Sequence, residues 1–212
     1  MPKIQFSSHT HSLNVVPAEN ILHAMDFARY RGCSLNLYVV VNFPAEDADI
    51  AAWLFTRVRD KYRDWYNWRT KRVYGAPKLA MYVYTLENPN GQAHANWVVY
   101  VPPSLHAEFL RKLPGWVRKA KGHTPGQFDV KAKDVDQSTY KSLGKYINKG
   151  LRERYSSYLH IITSAQGRIF GRRACSSAAI NKAARAAAGF VPKRDRIQWP
   201  DPANGNSTDE VA

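Results

Sequence analysis

Apolar and polar positions alternate most clearly at residues 35–43 (LNLYVVVNF), where Leu35, Leu37, Val39, Val41 and Phe43 share one face and Asn36, Tyr38, Val40 and Asn42 the other. This period of two predicts a central strand. Upstream, residues 17–30 carry Ile21, Leu22, Met25 and Ala28 at helical spacing, and Gly32 supplies a stop. Residues 46–72 form a longer helical pattern in which Leu54, Val58, Tyr62 and Trp65 recur beside charged residues until Gly75 and Pro77 end it, so this helix is expected to cover one sheet face. Residues 79–87 and 94–101 are two β-rich runs joined by Asn88, Pro89, Asn90, Gly91, Gln92 and Ala93, the composition of a hairpin turn. A short helix is expected after Pro103, a short strand over 128–135 and a helix over 138–149 stopped by Gly150. The order so far is αβαββαβα. A further strand over 158–164 and a helix over 177–188, with Ser177 at its start and Gly189 at its end, complete the pattern. The fold class predicted is α+β: a central antiparallel sheet with helices packed on it.

The chain has 212 residues, a length that suits one domain, expected over 1–199. The acidic segment 200–212 lacks an apolar pattern and is expected to be a disordered tail. The apolar runs, residues 37–41 among them, are far too short to span a membrane, and the opening Met1, Pro2, Lys3 has no secretory character, which predicts a cytoplasmic protein with no membrane partner. Cys33 and Cys175 cannot build a disulfide framework or a four-thiolate zinc site.

Charge changes the picture more. Residues 1–110 carry 11 basic and 9 acidic side chains, whereas residues 111–196 carry 20 and 5, a local excess of +15. A folded segment so charged repels itself unless a polyanion neutralises it, and nucleic acid is the natural partner.

Two constellations bear on chemistry. Along the second hairpin strand His94 and Asn96 point to one face with Val98 and Tyr100, while Ala95, Trp97, Val99 and Val101 point to the other. The apolar face packs, and the polar face is expected to be open. If the hairpin pairs Glu87 opposite His94, the carboxylate joins them. An imidazole, an amide oxygen and a carboxylate suit Mn²⁺ or Mg²⁺ better than a closed zinc site. The second constellation is residues 142–150 (SLGKYINKG), where Tyr140, Leu143 and Ile147 form the apolar stripe and Ser142, Tyr146 and Lys149 lie on another side, with Lys145 nearby. A tyrosine hydroxyl titrates near pH ~10 and attacks phosphorus only with help from a neighbouring cation, base or metal. Lys149 is placed to give some of that help.

In this order, the strand VVVNF, the strand HANWVVYVP and the helix YINKG resemble the motifs of the HUH endonucleases, most closely the Rep-type members with one catalytic tyrosine. The resemblance spans roughly residues 18–150 and rests on the motif letters. It implies metal ligation by His94, Asn96 and Glu87, with Tyr146 as nucleophile and Lys149 as its helper. Asn96 stands where the family has its second histidine, a position that is glutamine in some members. Ser142 stands where two-tyrosine members have their other tyrosine. The activity implied is site-specific nicking and rejoining of single-stranded DNA through a 5′-phosphotyrosine, as in the initiation of rolling-circle replication of a plasmid or phage, with a host helicase and polymerase as partners. A relaxase or transposase would use the same chemistry. Lys145, Arg152, Arg154, Arg168, Arg172 and Arg173 are the expected grips on the DNA backbone. His9 and His11 precede the first motif strand and read as loop residues, and His23, His106, His123 and His160 have no partner at ligand spacing.

A different class of function also fits the pattern. A single-stranded nucleic-acid binding module would use Tyr38, Tyr82, Tyr84 and Tyr100 as stacking platforms on the sheet and cleave nothing.

Overall fold

The computed structural model describes residues 8–126 and 129–192. In chain order the elements are β1 (His9–Thr10), α1 (Val15–Tyr30), β2 (Leu37–Asn42), α2 (Ala51–Tyr74), β3 (Tyr82–Glu87), β4 (His94–Val99), α3 (His106–Lys121), β5 (Val130–Asp134), α4 (Tyr140–Ile147), α5 (Ser156–Leu159), β6 (Ile169–Phe170), β7 (Ala174–Ser176) and α6 (Lys182–Ala187). From α1 to α4 this is the predicted αβαββαβα order. The expected acidic tail over 200–212 lies outside the described residues.

Strands β5, β2, β4, β3 and β7 lie side by side in that order, and every neighbouring pair is antiparallel. The fold is thus α+β, as the sequence predicts. The β3–β4 connection is a tight turn over Pro89–Gly91, with Asn90 and Gly91 both at positive φ (55° and 80°). Asn and Gly are the residues that tolerate this conformation most readily.

The strand alternation divides the core. Leu37, Val39, Val41, Tyr82, Tyr84, Leu86, Ala95, Trp97 and Val99 turn to one face, where they meet Phe55, Tyr62 and Trp65 of α2 and Phe109 and Trp116 of α3. Tyr38, Val83 and Val98 turn to the other, against Ile21, Met25 and Phe27 of α1 and Tyr140 and Ile147 of α4. A third, smaller cluster joins Leu13 and Ala18 to Leu151, Leu159 and Ile161. No helix among the described residues is long and apolar enough to cross a membrane.

Four expectations are corrected. The second sheet face is not open, because α1 and α4 cover it and leave Asn96 and Glu87 each 1% exposed. Residues 158–164 form no strand: α5 closes through His160 at φ 51°, with the His160 and Ile161 amides bonded back to Ser157 and Ser156, so the chain curls there. The last helix begins late, because the Ser177 hydroxyl accepts from the Tyr82 amide and Asn181, not Ser177, caps the helix through the Ala184 amide. The helix after Pro103 is longer than predicted, running through Pro114 until Gly122 turns left-handed at φ 84°.

Candidate active site

The hairpin register pairs Glu87 with His94 and Thr85 with Asn96, so carboxylate, imidazole and amide lie on the α1/α4 face. His94 Nε2 is 2.9 Å from Glu87 Oε2, and its Nδ1 is 3.2 Å from the Gln92 carbonyl oxygen. Both partners can only accept, so whichever ring nitrogen carries the hydrogen is the one that donates to its oxygen. Lys149 Nζ reaches the same Glu87 oxygen at 2.6 Å. Burial pushes the Glu87 carboxyl towards protonation, but the bonds from His94 and Lys149 outweigh it and hold the group below its ordinary value of 4.5. The other oxygen, Glu87 Oε1, is buried with no hydrogen-bond partner.

Helix α4 delivers the tyrosine. Its stripe of Tyr140, Gly144 and Ile147 is buried on α1. Gly144 suits the close approach, since a Cβ there would lie 3.1 Å from Leu22 Cδ2 and 3.2 Å from Met25 Sδ and those side chains would have to give by a few tenths of an ångström. The turn after the helix is fixed from both sides: Asn148 Nδ2 donates to the Gly144 carbonyl, the Ser164 amide to the Lys149 carbonyl and the Leu13 amide to the Gly150 carbonyl. Tyr146 is left 50% exposed. Lys149 Nζ sits 4.0 Å from its ring centroid, and the Tyr38 ring meets it edge-on at 6.4 Å.

Tyr38 is the site residue that the motifs do not reveal. It is buried and donates to Asn96 Oδ1 at 2.5 Å, and the edge of its ring faces Tyr146. Burial, reinforced by the nearby Tyr146 and Glu87, pushes its hydroxyl well above the usual tyrosine range. Its place on the Asn36, Tyr38, Val40, Asn42 face was the available signal, but its reach to Asn96 depends on the strand register.

Tested against a divalent ion, the three expected ligands differ. Glu87, with an unpartnered buried oxygen, offers the hard oxygen donor that Mn²⁺ or Mg²⁺ prefers, and His94 beside it offers an imidazole nitrogen. Asn96 does not, because its oxygen is taken by Tyr38 and the atom left unpartnered is the donor Nδ2. No group of three or more His, Cys, Asp or Glu able to hold a metal occurs among the described residues.

The cations expected to grip DNA also divide. Arg152, Arg154, Arg168 and Arg172 are exposed. Arg152 and Arg154 follow directly on Lys149; Arg168 lies over the Phe170 ring and Arg172 at the β7 edge beside Cys175. Lys145 is half-buried in the cleft that α4 shares with Leu22, Met25 and Asp26. Arg173 is withdrawn from the surface: at 5% exposure it donates to Thr10 Oγ1 and to the carbonyls of Thr10, Leu86 and Gly167. Burial lowers its guanidinium to about 10, with Glu87 opposing the shift. It is a structural tie, not a DNA contact. Of the four tyrosines expected as stacking platforms, Tyr38, Tyr82 and Tyr84 are each at most 7% exposed and the latter two face α2, which leaves only the half-buried Tyr100 within reach of a base.

No protein-family model matches the chain, and no curated protein matches it significantly.

Proposed function

We propose that this protein is a metal-assisted, tyrosine-dependent single-stranded DNA endonuclease and strand transferase of the HUH type. The observation that carries the reading is the convergence of an exposed Tyr146 with Lys149, Glu87 and His94, drawn together from a helix end and a hairpin far apart in sequence.

Tyr146 Oη attacks the scissile phosphorus, forming a tyrosyl phosphoester as the bond to the 3′-oxygen breaks. The proton lost by the phenol is balanced by the one gained by the departing 3′-oxygen. One phosphodiester replaces another, so the bond is kept for rejoining. Lys149, 4.0 Å from the ring centroid, offsets charge growing on the phenolate. When bound by Glu87 and His94, Mn²⁺ or Mg²⁺ supplies neutralisation of phosphate charge in the transition state. The exposed Arg152, Arg154, Arg168 and Arg172 hold the backbone. In this reading the free 3′-hydroxyl primes a host polymerase, a host helicase opens the duplex, and the setting is cytoplasmic rolling-circle replication of a plasmid or phage.

The test is incubation with Mn²⁺ and a pool of single-stranded DNA followed by denaturing electrophoresis. Label at the DNA 3′-end should migrate with the protein, and label at the 5′-end should appear on shortened free strands. Absence of any adduct across the pool would overturn the proposal.

A further inference from the structure

Strand β5 is the edge of the sheet beside β2, and its register divides its charges by face. Lys131 pairs with Val40 and Lys133 with Tyr38, while Val130, Ala132 and Asp134 pair with Val41, Val39 and Leu37. Directly paired residues project to the same side of a sheet. Both lysines therefore stand on the face that carries Tyr38, Asn96, His94 and Glu87, and the acid of the strand stands on the other. Val40 joins Lys131 to Asn96 in one row across the sheet, and Tyr38 joins Lys133 to Val98 in the next. Lysine on an edge strand discourages pairing with another chain, a purpose served from either face, but here both ammoniums belong to the side of the candidate site.

The cover over that face thins at this corner. Helix α1 lies towards β3 and β7, whereas at the β5 side Val40 and Asn42 are half-buried and Lys131 and Lys133 exposed. Lys133 Nζ lies 5.4 Å from the Tyr38 ring centroid, and the ring centroid of the exposed Tyr146 lies 6.4 Å from the same point. Alternate residues of a strand stand about 6.8 Å apart, a spacing comparable with that of successive phosphates along an extended single strand. The half-buried floor, Val40 and Asn42, offers no ring on which a base could stack.

We propose that Lys131 and Lys133 form a track for the DNA backbone that leads the single strand to Tyr146, holding phosphates without reading bases. The proposal rests on the reading of Tyr146 as nucleophile and deepens it by naming the path of the strand beside it. Contacts to phosphate position a strand and carry no sequence information. The track thus serves any sequence and leaves the choice of cleavage site to other contacts.

The experiment measures binding of the full chain, without metal, to labelled oligothymidine and to a mixed-sequence single strand over a range of salt, by fluorescence anisotropy. The double variant Lys131→Gln, Lys133→Gln keeps much of each stem and removes both charges. It should bind both strands about tenfold more weakly at about 0.1 M salt, with a salt slope shallower by about 0.7 per lysine. Lys131→Arg, Lys133→Arg keeps the charges and should bind within about twofold of the wild type. Arg118→Gln, Lys119→Gln removes two exposed cations from α3, on the opposite face, and should also stay within about twofold. If the glutamine pair does not fold, Lys131→Thr, Lys133→Thr, with a stronger strand preference, takes its place.

Wild-type affinity in the glutamine pair would overturn the proposal. So would an equal loss in the α3 pair, which would reduce the effect to net charge, or a loss confined to one of the two sequences, which would mean that bases are read. These failures differ from failure of the underlying reading, in which the wild type binds through the two lysines yet gives no adduct with Mn²⁺.

Discussion

The two faces of one sheet are built from the same strands by the same alternation, yet they do opposite things. Towards α2 and α3 the residues are apolar or aromatic throughout, and Trp97 is fully buried with the rings of Phe55, Tyr62, Tyr82 and Phe109 at centroid distances of 5.1–6.3 Å. Towards α1 and α4 the middle of the sheet is packed by Tyr38, Val83 and Val98, but one end carries Glu87, His94 and Asn96. Stability is concentrated on the first face, and the chemistry we propose lies on the second. At the polar end of the second face Glu87 is held by His94 and Lys149 and Asn96 by Tyr38, while Thr85 Oγ1, Glu87 Oε1 and Asn96 Nδ2 are buried without a partner.

The comparison is most easily broken on the aromatic face. Trp97→Ala should cost about 3–5 kcal/mol, read as a lowered denaturant midpoint, and a loss below ~1 kcal/mol would mean that this face is not the main store of stability. Next comes Arg173→Met, which strips charged donors from three carbonyls, that of Leu86 buried, and from a hydroxyl. It should cost about 2–3 kcal/mol while leaving the salt dependence of DNA binding unchanged, whereas Arg152→Ala should reduce that slope by about one.

The third prediction concerns acid. Glu87 titrates lower in the folded protein than its ordinary 4.5, so its contribution is present above that value and is lost as pH falls through the lower folded one. Subtracting the pH-stability curve of Glu87→Gln from that of the wild type should therefore give a stabilisation of about 1–2 kcal/mol at neutral pH that declines below pH 4.5. A flat difference curve would show that the carboxylate is not held by its two cations. A smaller effect is expected at Lys149, whose ammonium occupies the oxygen a divalent ion would also claim. Lys149→Met should raise Mn²⁺ affinity about fivefold while slowing adduct formation, and weaker Mn²⁺ binding would show that Lys149 does not compete for Glu87.

Much of the fold was legible because long periodic segments carry their own geometry. The alternation at 35–43 and the helical spacing at 46–72 both recur as a strand and a helix, and the pairing of Glu87 with His94 follows from the Asn-Pro-Asn-Gly turn. What was not legible depended on tertiary partners. Ala174–Ser176 is too short and too polar to announce a strand, and is one because β3 offers it an edge. Residues 158–164 have β-forming side chains but spend their backbone bonds on a helical turn and on Lys149. At the site, the motif letters located Glu87, His94, Tyr146 and Lys149, and the structure brings these together. They could not show that Asn96 gives its oxygen to Tyr38 or that Arg173 is buried, because each depends on a neighbour distant in sequence.

The central claim is that Tyr146 forms the covalent bond to DNA. Its most direct test is to trap the wild-type protein with a cleaved single-stranded substrate, digest both polymers and locate the nucleotide mass by peptide sequencing in a mass spectrometer. The account predicts the added phosphonucleotide on Tyr146 and no adduct in Tyr146→Phe, whose fold should be unaltered because the side chain is half exposed. A nucleotide attached to any other residue, or an adduct that survives Tyr146→Phe, would contradict it.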